Sequence, residues 1–189
     1  LGFLQAGTMQ IHTTDLSGLL VLQPRVFEDG RGFFFESYQK ERFREAGLRL
    51  EFVQDNLSRS AYGTIRGLHY QRHKPQGKLV QVVRGTVFDV AVDLRKASPT
   101  FGRWHGFELS DRNHRQLYIP PGFAHGFCVT SPDGADFFYK CTDYYDPVDE
   151  RTLLWNDTAV GIEWPDVGEP ILSPKDQRGT PLSQADVYP

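Results

Sequence analysis

Residues 79–94 read LVQVVRGTVFDVAVDL, and this stretch decides the fold class. Leu79–Val83 and Val87–Leu94 are runs rich in β-branched residues, which suit a pleated, half-buried strand. Arg84-Gly85 between them reads as a hairpin turn. In the second run Phe88, Val90, Val92 and Leu94 share one face, because side chains alternate along a strand. Val87, Asp89, Ala91 and Asp93 share the other. Two carboxylates on one face fit either a polar cavity or a solvated sheet surface, and the strand alone leaves both open.

Similar segments lie on either side: Phe33–Ser37, Gly67–Gln71, Trp104–Leu109, Gln116–Ile119, Gly126–Thr130 and Phe137–Tyr144. The chain holds 18 Gly and 12 Pro, so turns are frequent between them. Many short strands broken by such turns predict an all-β fold, a sandwich or small barrel. Two short helices interrupt it. One is expected over Tyr38–Ala46, rich in helix formers and stopped by Gly47. The other starts at Ser173-Pro174, a capping serine followed by proline at the first helical position.

A chain of 189 residues is enough for one domain with its own core. Net charge is −3 with no basic tract, which argues against general nucleic-acid binding but not against one phosphorylated small molecule. No run approaches the ~20 apolar residues that span a bilayer, and the N-terminus lacks the regions of a signal peptide. Cys128 and Cys141 lie in separate apolar segments and read as two buried thiols of a reducing compartment. The expectation is a cytoplasmic protein. Met9 is the only methionine, so Leu1–Thr8 reads as a leader outside a single domain at 9–189.

The chemistry concentrates in Gln54–Lys78, QDNLSRSAYGTIRGLHYQRHKPQGK, which packs Asn, three Arg, two His and two Lys into 25 residues. A histidine among strands is ordinarily structural, but this density of donors points to a binding pocket. A second stretch, PPGFAH at 120–125, is a rigid turn that presents His125 on the next strand.

Together these segments resemble the cupin signature. Gly63 and His69 have the separation of its first motif, and Pro120–His125 matches PxGxxH of its second. Metal-binding cupins carry a second His and a Glu where this chain has Gln71 and Gln76. Amides are poor ligands beside imidazole and carboxylate, so no metal is expected and His69 is left free to act as a base. The fold expected is a cupin-type β-sandwich, or jelly-roll barrel, with a few short helices.

A narrower resemblance covers residues 10–180. FEDGRGFFFESY (27–38), QDNLSRS (54–60), GTIRGLHYQ (63–71), QGKLVQVVRG (76–85), SPTFG (98–102), IPPGFAHGF (119–127), YKCTDYYDP (139–147), LLWND (153–157) and LSPKD (172–176) are similar, in order and spacing, to the dTDP-4-dehydrorhamnose 3,5-epimerase family. The resemblance implies a dTDP-linked 4-keto-6-deoxy sugar as substrate. A ketone acidifies the C–H bonds at both neighbours, so epimerisation needs a base on one face, a proton donor on the other and stabilisation of the enolate between. No cofactor is implied, since the substrate carries its own electron sink.

By the same resemblance His69 is the base, Asp176 orients it, Tyr139 is the acid and Lys78 steadies the enolate. Read alone, Ser173-x-x-Asp176 would fit a helix cap, and a lone tyrosine or lysine would be packing or surface. Tyr144 and Tyr145 are near enough to Tyr139 to leave the choice of phenol open, and Tyr145 matches a substrate-contact position. Arg31 and Arg66 are implied at the diphosphate, Lys175 and Glu150 at ligand positions, Gln54 and Asn56 at the thymine edge. Asp89 and His125 are expected to line the pocket. Phe34 and Glu36 match residues contributed by a partner subunit, which implies a homodimer with an exchanged N-terminal strand. The competing readings are a mono-epimerase or ketoisomerase on a related dTDP-4-keto sugar, and a non-enzymatic cupin that senses or stores sugars. The latter would keep the barrel and its turn glycines with little reason to keep His69, Asp176 and Tyr139 in register.

Overall fold

The computed structural model describes the backbone of residues 4–6 and the whole of residues 9–189. The leader expected at 1–8 therefore falls largely outside the described residues. The strands are β1 Leu4–Ala6, β2 Met9–Thr13, β3 Leu20–Pro24, β4 Phe27–Asp29 and β5 Gly32–Phe34, followed by helix α1 Lys40–Glu45. Then come β6 Gln54–Ser60, β7 Ile65–Gln71, β8 Lys78–Arg84, β9 Thr86–Asp93 and β10 Trp104–Ser110. The chain continues through β11 Gln116–Ile119, β12 Phe123–Val129, β13 Ala135–Cys141, β14 Glu150–Thr152 and helix α2 Pro174–Gln177.

One sheet runs β1-β2-β3-β11-β8-β13-β6 and the other β10-β9-β12-β7-β14, with β4-β5 a separate ribbon. The strand-rich expectation holds, as two facing antiparallel sheets. The Arg84-Gly85 hairpin does not. β8 pairs with β11 and β13, whereas β9 pairs with β10 and β12, so this turn carries the chain from one sheet to the other. Gly85 has φ +84, and a Cβ there would meet Gly134 O at 2.3 Å. The turn is packed under the 131–135 loop, and only glycine fits it.

Both faces of β9 are buried, which settles the ambiguity of its alternation. Val87 and Ala91 enter the core between the sheets with Val80, Leu117, Phe127 and Phe137. Val90, Val92 and Leu94 lie on the outer face, under a C-terminal layer that includes Leu153, Val160, Val187 and Tyr188. On the opposite outer face Ile11, Leu22 and Leu79 are covered by Phe43 and Ala46 of the α1 segment. Of the two carboxylates, only Asp89 belongs to a polar site. Asp93 closes the 93–103 turn, receiving Arg95, Ser98 and Thr100 on its fully buried carboxylate.

Helix α1 is shorter than Tyr38–Ala46 because Gln39 is its N-cap, its side chain accepting from Arg42 N. The strand expected at Phe33–Ser37 is confined to the ribbon at Gly32–Phe34. Cys128 and Cys141 are free and buried. No helix among the described residues is long and apolar enough to cross a membrane.

Candidate active site

Strands β7 and β12 lie side by side, with His69 directly opposite His125. One residue further the register slips, between His125 and Phe127. The slip rests on two glycines placed back to back. A Cβ on Gly67 would stand 2.5 Å from Gly126 Cα, and one on Gly126 would stand 2.6 Å from Arg66 O. Side chains at either position would push the strands apart and separate the histidines.

His69 Nε2 lies 2.6 Å from Asp176 Oδ1. Asp176 is buried at 3% exposure on α2, and its other oxygen accepts from the Ser173 hydroxyl at 2.8 Å. Ser173 Oγ also accepts from Asp176 N as the helix cap. The cap and the histidine partner are thus one residue acting in both roles. Burial alone would raise the Asp176 pKa, but the His69 and Ser173 hydrogen bonds and nearby charges hold it below the usual carboxylate range. An ionised Asp176 can only accept, so the contact places a proton on His69 Nε2 and fixes the orientation of the ring.

The second pair is deeper. His125 Nε2 lies 3.0 and 2.9 Å from the two oxygens of Asp89, and both residues are buried. Burial lowers the His125 pKa, with Asp89 pulling the other way. His125 stacks on Phe137, its ring 6.0 Å away.

These strands form one wall of a pocket of about 340 Å³. The facing sheet forms the other. Gln54, Asn56 and Ser58 alternate inward along β6, Lys78 opens β8, and Tyr139 and Cys141 project from β13. Burial first, then Cys141 and Glu150, push the Tyr139 phenol up to about 12, so it is protonated throughout the neutral range. Burial lowers the Lys78 ammonium, with Cys141, Glu150 and Asp89 opposing the shift. At the rim Glu150 accepts from Lys175 at 2.8 Å and from the Tyr145 hydroxyl at 3.0 Å. Arg66, an exposed residue, donates from Nε to Ser60 Oγ.

Ten of the expected residues therefore line this pocket: Gln54, Asn56, Arg66, His69, Lys78, His125, Tyr139, Tyr145, Glu150 and Lys175. Asp89 and Asp176 stand behind it as partners of the histidines. Arg31, Phe34 and Glu36 do not line it. Arg31 pairs with Asp29 and Glu36 with Arg42, while Phe34 lies 70% exposed on the β4-β5 ribbon. Phe127, Phe137, Ser58 and Cys141 also line the pocket and were not anticipated. The inward period of QDNLSRS could have shown Ser58; the buried aromatic wall carries no polar signal to find it by. Among the described residues no group of three or more His, Cys, Asp or Glu side chains could hold a metal ion.

Residues 13–184 match the profile of the family described as dTDP-4-dehydrorhamnose 3,5-epimerase. The chain belongs to the dTDP-4-dehydrorhamnose 3,5-epimerase family. Its relative of that name in Pseudomonas aeruginosa is 55% identical over 90% of this chain and 94% of the relative. A Neisseria gonorrhoeae relative of the same name is 54% identical over 94% of this chain, which spans only 54% of that longer protein. The family enzyme from Legionella pneumophila, solved in complex with dTDP-4-keto-L-rhamnose, superposes with a TM-score of 0.91. It is 50% identical, with 95% of this chain and 97% of that one covered. As a member of this family the chain is an epimerase, an isomerase in the broad sense.

Proposed function

We propose that the chain inverts C3 and C5 of dTDP-4-dehydro-6-deoxy-D-glucose to give dTDP-4-dehydro-L-rhamnose, without metal or cofactor. The observation that carries this reading is the placement of His69 and Tyr139 on opposite sheets across one pocket. Inversion beside a ketone needs a base on one face of the sugar and a proton donor on the other. His69, oriented by Asp176, removes the C–H proton, and Tyr139, protonated at neutral pH, returns one to the far face. Lys78, making no ion pair among the described residues, supplies a cation in a partly dry site for charge gathering on the ketone oxygen. Arg66 and Lys175 meet the diphosphate, Gln54, Asn56 and Tyr145 the nucleoside, and Glu150 holds Lys175 and Tyr145 in place.

The 3,5 assignment is favoured over single inversion by the relatives. Those at 50–55% identity carry the 3,5-epimerase name, whereas a Streptomyces niveus 3-epimerase is 41% identical. Protein stripped by exhaustive chelation and given the 4-keto-6-deoxyglucose nucleotide should yield product inverted at both carbons, read by NMR. Inversion at one carbon selects the mono-epimerase. Activity lost on chelation and restored by a divalent ion overturns the metal-free part.

The same reading includes a cytoplasmic homodimer whose subunits exchange an N-terminal strand. Its support is that Arg31, Phe34 and Glu36 stand outside the pocket of their own chain, on or just after a ribbon whose Phe27, Phe33 and Phe34 are exposed. Mixed dimers of Arg31→Ala and His69→Ala chains should then hold one site with both defects and one with neither, and regain activity at low substrate. Verified heterodimers that regain nothing would refute the shared site.

A further inference from the structure

Gln71 and Gln76 stand where metal-binding cupins carry ligands, and both amides are engaged by backbone groups, although Gln76 also lines the pocket. Gln71, only 2% exposed, donates from Nε2 to Lys74 O at 2.8 Å and to Tyr144 O at 3.1 Å. Its Oε1 accepts from Asp146 N at 2.8 Å. Gln76 donates to Asp143 O at 2.8 Å. Beside them Gly77 N donates to Thr142 Oγ1 at 2.7 Å, and Thr142 N to Gly77 O at 2.9 Å. Residues 142, 143, 144 and 146 are thereby fastened to one short segment, 71–77. Tyr145 is the residue left between these anchors. Its N–H donates to Gln54 Oε1 at 2.9 Å and its hydroxyl to Glu150 at 3.0 Å, and its ring lines the pocket rim.

We propose that Gln71 and Gln76 are positioning residues that mount Tyr145 for the nucleotide, so that the two former ligand positions serve substrate affinity instead of metal binding. The carboxamide suits this task where histidine or glutamate would not. Gln71 must donate twice and accept once, and a carboxylate would set a negative charge against two carbonyl oxygens. Gln71 touches no reacting group, so its effect passes through Tyr145 alone. The inference rests on Tyr145 contacting the nucleotide, as proposed above.

The test measures dTDP affinity by calorimetry together with KM and kcat for Gln71→Leu, Gln76→Leu, Tyr145→Ala and the Gln71→Leu/Tyr145→Ala double variant. Gln71→Leu should weaken dTDP binding and raise KM roughly tenfold, the scale of about one or two lost hydrogen bonds, with kcat within about twofold of the parent. Gln76→Leu, which removes one bond, should move the same way by less; because Gln76 also lines the pocket, it stands in for Gln71→Leu only if its loss fails to add to that of Tyr145→Ala. In the double variant the losses should not add, because both act through one side chain. If Tyr145→Ala leaves dTDP binding intact, the nucleotide reading of Tyr145 falls, and this inference with it. If Tyr145→Ala weakens dTDP binding while both glutamine variants bind normally, or lower kcat without raising KM, the inference alone is overturned.

Discussion

His69 and His125 are direct register partners across β7 and β12, and each turns Nε2 onto its own aspartate. The two pairs share a design and differ in depth. The His69 side chain is 24% exposed and faces the pocket, while that of His125 is 8% exposed over an Asp89 with no exposure. Burial works against a charge on His125. The outer imidazole faces the pocket, and the inner one serves as a donor that satisfies a buried carboxylate.

That difference separates two alanine variants. His125→Ala strands Asp89 without its imidazole in the core and should cost about 3 kcal/mol or more. His69→Ala leaves Asp176 with the Ser173 hydroxyl and should cost about 1 kcal/mol. Denaturant melts of both check this, and equal losses would contradict it.

Asp176→Asn keeps the size of the side chain but removes the charge that fixes the His69 tautomer and steadies its protonated form. We expect kcat to fall roughly a hundredfold or more with KM little changed. Steady-state kinetics decide, and the Ser173 cap should keep the fold intact.

Tyr139→Phe removes only the phenolic proton. Isotope exchange at the acidified carbons should survive better than net inversion, since enolate formation needs only the base. With the phenol at about 12, it remains an acid to about pH 10, so the parent enzyme should show no alkaline loss due to Tyr139 below that. A Tyr139→Phe chain that epimerises normally while Tyr144→Phe does not would place the acid elsewhere.

Much of this was legible in the sequence, because strand alternation and short motifs are local signals. Gln116–Ile119 is a strand over the expected residues, and the two segments that resemble the cupin motifs lie side by side on β7 and β12. What failed was pairing. The neighbours of β8 come from β11 and β13, some thirty to sixty residues later, so two adjacent runs looked like a hairpin and are not one. Gln54–Ser60 was read for its polar chemistry and is also an edge strand of the first sheet. The Arg31–Glu36 segment lies off its own chain's pocket, a placement that only the family resemblance, and no local pattern, had suggested.

Asp93 gives the fold a pH dependence with a defined sign. Against the burial that would raise its pKa, Arg95, Ser98 and Thr100 hold it at about 2, below the ordinary 3.8. A folded value below the unfolded one stabilises the protein fully above about pH 4 and is lost as pH falls toward 2. The shift corresponds to about 2 kcal/mol. Asp93→Asn should lower stability by a similar amount at pH 7 and flatten the acid limb of the melting curve.

The central claim is that one imidazole, His69, opens both C–H bonds beside the ketone. Solvent deuterium entering C3 and C5 of the 4-keto-6-deoxyglucose nucleotide, followed by NMR, tests it most directly. The account predicts exchange at both carbons with the parent enzyme and at neither with His69→Ala. Exchange at wild-type rate in His69→Ala, or at one carbon only in the parent enzyme, would contradict it.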